Sequence, residues 1–189
     1  LSFKIRYLLY KNKNKAFAEN VYFQDIKAQT LGKFQEGNTD KNNFEKFIKT
    51  FNNTFQDLQI NGFDSNKTLI PLSHNLTIRN GAHRVSSAIV LNQEVTTVIT
   101  ESDDMIADYN YFLEREVSLK TIEEAVIKFI DYAPENCYLA FLWPSGKNKI
   151  EESLKQFSKI IYQKELKLSS SGAYNLLYEL YKHMDWVGP

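Results

Sequence analysis

The residue types best placed to do chemistry sit together in Asn80-Gly81-Ala82-His83-Arg84. The stretch follows an extended run, Leu69 to Leu72 and then Leu76 to Arg79, and opens a helical run from Ala82 to Asn92. A glycine turn at a strand-to-helix junction exposes backbone N–H groups at the helix start. His83 and Arg84 add side-chain donors beside them. Such a convergence reads as an anion pocket, and phosphate is the commonest biological anion to fill one. The competing reading is a His ring that caps the turn, an exposed Arg84 and an Asn80 that only completes the turn. A dipeptide this short also recurs by chance.

A second candidate group is Glu101-Ser102-Asp103-Asp104. As catalytic groups, Glu101 or Asp103 would take a proton from a substrate hydroxyl, with His83 beside the phosphate. As metal ligands, Asp103 and Asp104 would hold Mg²⁺ bridging nucleotide phosphates. The alternative is N-capping, since acidic residues are favoured at a helix start. His74, Glu19 and Asp25 are weaker candidates. The single cysteine, Cys137, excludes an internal disulfide and a cysteine-rich zinc site. It lies in the apolar run Cys137 to Trp143 and reads as a core thiol.

These groups need elements to position them. Phe3, Tyr7, Leu8 and Tyr10 stand near helical spacing, ahead of the basic run Lys11 to Lys15. Asn20 to Ile26 is amphipathic, and its periodicity leaves strand and helix open. After a polar break at 37–43, Phe44, Phe47, Ile48, Phe51, Phe55 and Leu58 form one helical stripe, with Asp40 or Asn42 as the expected cap. The stripe suits core packing better than base stacking. Short strands are expected at 68–72 and 76–79, then the turn and its helix with Val85, Ala88, Ile89 and Leu91 inward. A β-branched strand follows at 94–100. Helices are expected at 104–116 and, capped by Ser118, to about Tyr132. A buried strand at 137–143, a helix at 149–160, a strand at 161–168 and a helix at 173–184 complete the reading. The Trp186-Val187-Gly188 end reads as an aromatic anchor. The expected fold is α/β in the mixed α+β sense: an N-terminal segment 1–40, a core 41–103, and an extension 104–189.

Bulk properties narrow the function. The 189 residues are 43% hydrophobic and 14% aromatic, which suits a packed domain and not a disordered tail. Lys plus Arg equals Asp plus Glu at 23 each, and a duplex-binding domain usually has a basic excess. No run approaches about 18 apolar residues, so no membrane span is expected. No signal peptide is visible, and a cytoplasmic location is expected. The chain begins at Leu1 rather than Met, which suggests a piece of a longer protein.

Residues 44–100 resemble the ParB/sulfiredoxin superfamily. The likeness is carried by a helix ending before Ile60-Asn61-Gly62-Phe63, the strand Ile70-Pro71-Leu72, and the turn Ile78-Arg79-Asn80-Gly81-Ala82-His83-Arg84. The small residues Ser87-Ala88 and the closing strand Val95 to Ile99 complete it. The resemblance implies that Asn80, Gly81, Ala82, His83 and Arg84 bind nucleotide phosphates. Sulfiredoxins carry a cysteine where Ala82 stands, so sulfinic-acid reduction is not expected. No helix-turn-helix region like that of partition proteins is evident after residue 100. Nothing in the sequence contradicts a third branch, the small-molecule kinases, and resemblance to it implies ATP or ADP, Mg²⁺ and a small hydroxyl substrate. A nucleic-acid-binding or nuclease protein and a non-catalytic nucleotide- or ligand-binding module are the alternatives.

Overall fold

The structure, a computed structural model, describes residues 1–37, 39–132 and 168–181. The strands expected at 137–143 and 161–167, the helix at 149–160 and the Trp186 end lie outside the described residues. The chain divides into two compact units, Leu1–Lys128 and Phe129–Pro189. The described elements are mostly helical, with one small parallel sheet, which is mixed α/β in the broad sense. Among the described residues, no helix is long and apolar enough to cross a membrane.

In the first unit, α1 (Ser2–Tyr10) and α2 (Lys15–Gln29) form a helical hairpin. The basic run is mostly its turn, and the Asn14 side chain caps α2 by accepting from the Phe17 N–H at 3.1 Å. The ambiguous stretch 20–26 is therefore helix. The phenylalanine stripe forms α3 (Phe44–Asn61). Its cap is Asn43, not Asp40 or Asn42: the Asn43 backbone is extended and its side chain accepts from the Lys46 N–H at 2.9 Å.

Tyr7, Leu8, Ala18, Tyr22, Ile26, Phe47 and Phe51 form one core, flanked by Phe44, Ile48, Phe55 and Val90. The Phe51 ring lies 5.4 Å from that of Tyr7 and 5.2 Å from that of Tyr22, so three helices meet through aromatic faces. The stripe is core, as its spacing requires.

Strand β1 (Ile70–Leu72) pairs in parallel with β2 (Thr97–Ile99), Ile70 facing Thr97 and Leu72 facing Ile99. Parallel neighbours need a crossover, and α4 (Ala82–Leu91) supplies it. The strand expected at 76–79 is reduced to one antiparallel bridge between Leu72 and Ile78, because residues 73–77 curl into a loop closed by the Ser73 N–H on the Thr77 carbonyl. In α4, Ser86, Ser87 and Ala88 are the buried residues, while Val85, Ile89 and Leu91 are only half-buried. Both α1 and α3 pack against α4.

The helix expected at 104–116 is shorter. Only α5 (Tyr109–Glu114) forms, capped by Asp108, since the Asp104 carboxylate and the Met105 N–H bond to the 73–77 loop instead. Helix α6 (Leu119–Tyr132) begins after Ser118, whose hydroxyl accepts from the Thr121 N–H at 3.3 Å. The Arg6 guanidinium reaches the start of α6, donating to the Glu124 carboxylate at 2.7 Å and to its carbonyl at 2.9 Å. In the second unit, Ser169 caps α7 (Ser170–Tyr181) through the Gly172 N–H at 3.0 Å.

Candidate functional site

The turn Asn80–Arg84 lines a cleft of ≈ 960 Å³ in the first unit. Gly81 adopts the left-handed conformation, φ +90°. A Cβ there would stand 2.7 Å from Ile70 Cδ1 and 3.0 Å from Arg84 Nη2, so only glycine lets the guanidinium lie across the turn. The Gly81 N–H donates to the Asn80 side chain, which leaves Asn80 occupied within the turn. Among the described residues, no side chain caps helix α4, and its first internal bond is the Val85 N–H on the Gly81 carbonyl at 2.9 Å. The N–H groups of Ala82, His83 and Arg84 are thus the open donors at its positive end.

Two arginines flank these donors. Arg84 Nη1 donates to the Thr68 hydroxyl and to the Leu69 carbonyl at 3.3 Å, tying α4 to the approach of β1. Its Nε and Nη2 edge makes no hydrogen bond among the described residues, and that edge is a two-donor fork for a phosphate. Arg79 donates its backbone N–H to the Pro71 carbonyl at 2.9 Å. Arg79 lines the cleft, makes no salt bridge among the described residues although its charge helps to lower the Asp104 carboxyl, and carries a buried Nε with nothing to bond among them. The other cations of the cleft are paired: Lys4 with Asp25 at 2.5 Å, Lys41 with Glu36, and Lys67 with Asp64 at 3.5 Å.

His83 is not a cation. Burial pushes it down to about 2, with the nearby positive charges of Lys4 and Lys41 adding to the effect. Its ring stacks on Phe51 at 4.4 Å, and Nε2 lies 2.8 Å from the Tyr22 hydroxyl. Burial also raises Tyr22, so that hydroxyl stays protonated. His83 therefore brings hydrogen bonding and an aromatic wall to the cleft, without charge.

The carboxylates are distributed differently from the donors. Glu101 and Asp103 are exposed and do not line the cleft. Asp104 lies outside it too. Its Oδ1 accepts from Ser73 Oγ at 2.5 Å and from Thr77 Oγ1 at 3.4 Å, and its Oδ2 accepts from Asn75 Nδ2 at 2.8 Å. The bonds from Ser73 and Asn75 hold it below the usual carboxylate range. Among the described residues, no group of three or more His, Cys, Asp or Glu side chains is arranged to hold a metal. His74 is exposed and off the cleft, and Glu19 pairs with Lys15 at 3.7 Å. Asp25 does line the cleft, buried against Lys4.

The sequence points to Arg84 as the phosphate fork and passes over Arg79. Its position one residue ahead of the turn was the available signal. Lys4 and Lys41 carry no local signal, because they reach the cleft from helices and loops far away in sequence. No family model matches the chain, and neither curated proteins nor solved structures give a significant match.

Proposed function

We propose that the cleft binds the phosphates of a nucleotide, ATP or ADP, and that the protein is a phosphotransferase acting on a small hydroxyl compound. The observation that carries this reading is the set of unsatisfied donors around one turn: Arg79, the free edge of Arg84 and three N–H groups of α4. For phosphoryl transfer, positioning and charge neutralisation supply most of what a protein must contribute. A glycine turn between β1 and a crossover helix leading to a parallel β2 supports a ParB/sulfiredoxin-type core, with Ala82 turning it away from sulfur chemistry.

A magnesium ion carried in with a nucleotide needs few protein ligands. The oxygens of Asp104 are already committed to Ser73, Asn75 and Thr77, which does not suit Asp103–Asp104 to holding one. A second reading, nucleotide binding without turnover, is favoured by the position of Glu101 and Asp103, which do not line the cleft. Phosphorus NMR separates the two. With Mg-ATP or Mg-ADP and a panel of alcohols and sugars, the first reading expects new phosphate-ester signals. Saturable nucleotide binding with unchanged spectra selects the second.

A further inference from the structure

The cleft has an apolar wall next to its cationic turn. Leu76 and Met105 both line it, and they remain 62% and 43% exposed. Leu76 is also in the left-handed region, φ +63°, where a leucine sits against its own backbone preference. The loop around it is over-determined. The Ser73 N–H bonds the Thr77 carbonyl at 2.8 Å, the Leu76 N–H bonds the Ser73 carbonyl at 3.0 Å, and the Thr77 N–H bonds Ser73 Oγ at 3.0 Å. Asp104 gathers the side chains of Ser73, Asn75 and Thr77, and the Met105 N–H closes on Thr77 Oγ1 at 3.2 Å. Asp104 therefore fixes both halves of the wall: it shapes the loop that presents Leu76 and anchors the strap that carries Met105.

A strained leucine held out to solvent gains nothing from burial in this structure. Strain of this kind persists where surrounding bonds enforce it, and it concentrates at ligand contacts. Leu76 stands three residues before Arg79, so their Cα atoms are at most about 11 Å apart. One nucleotide can therefore span both, with phosphates at the turn and base at Leu76. We propose that Leu76 and Met105 form the subsite for the flat, apolar face of the nucleobase, with the loop Ser73–Thr77 and Asp104 as its positioning frame. The inference rests on the turn being the phosphate site. It adds that the protein selects a nucleotide over a bare polyphosphate.

The test is a pair of calorimetric titrations, ATP and inorganic tripolyphosphate, on the parent and on Leu76→Asn. Asparagine suits the left-handed conformation, so the variant keeps the loop and melts no lower than the parent. Expected is a loss of about tenfold in ATP affinity with tripolyphosphate affinity unchanged, the scale of one half-buried leucine contact. Met105→Ser should repeat the pattern more weakly. ATP affinity that survives Leu76→Asn overturns the subsite, as does equal weakening of both ligands. A parent that binds tripolyphosphate as tightly as ATP removes the subsite and leaves the phosphate site standing. A parent that binds neither removes both.

Discussion

His83 illustrates how far one residue's role depends on what surrounds it. Its folded value is about 2, against an ordinary 6.5. Between those values the unfolded chain takes up a proton that the folded chain refuses. The stability His83 supports is therefore full above about pH 6.5 and declines as the pH falls towards 2, by up to about 1.4 kcal/mol per pH unit. His83→Gln does not titrate, so urea unfolding at pH 7, 5.5 and 4 should give a shallower decline than the parent. Identical slopes would show that the imidazole is not buried neutral. Gly81 is the other decisive residue. Gly81→Ala meets both the φ of +90° and the Ile70 side chain, and a loss of about 2–4 kcal/mol is expected on denaturant unfolding. A neutral outcome would mean that the turn is not built as described.

Among the elements, α4 joins the core to the cleft, and its buried face is small rather than apolar. The hydroxyls of Ser86 and Ser87 are buried without hydrogen-bond partners among the described residues. An unpaired buried hydroxyl is costly, so Ser87→Ala should stabilise the fold by about 1 kcal/mol on urea unfolding. Destabilisation would reveal a hidden partner. The 73–77 loop makes the opposite use of polar groups. Asp104→Ala should speed hydrogen exchange at Thr77 and Met105 and leave α3 protected. Unchanged exchange at both amides would remove the latch.

These two elements also mark what was legible in the sequence. The α3 stripe could be read from spacing alone, because a helix with one apolar face has only one way to bury it. The glycine turn could be read because its chemistry is local. The fate of the carboxylates could not. Asp104 bonds residues 27 to 31 positions earlier, and nothing near it in sequence distinguishes a metal ligand from a loop clamp. For the same reason, the sequence singles out Arg84 over Arg79, although Arg84 commits its Nη1 to Thr68 and Leu69.

On the scale of the whole molecule, the aromatic core and the cleft belong to one compact unit, and α6 runs through its boundary at Lys128. A chain ending at Tyr132 should therefore unfold in a single cooperative transition and keep whatever ligand binding the cleft provides. Charge is balanced, 23 cationic against 23 anionic side chains, so the chain carries no net basic excess. The most direct test of the account is a calorimetric titration of Mg-ADP and Mg-ATP into the parent and into Arg79→Ala. One saturable site per chain is expected, weakened about 10- to 100-fold by the substitution, because the buried Arg79 Nε has no hydrogen-bond partner among the described residues. Absence of binding in the parent, or the same affinity without Arg79, would contradict it.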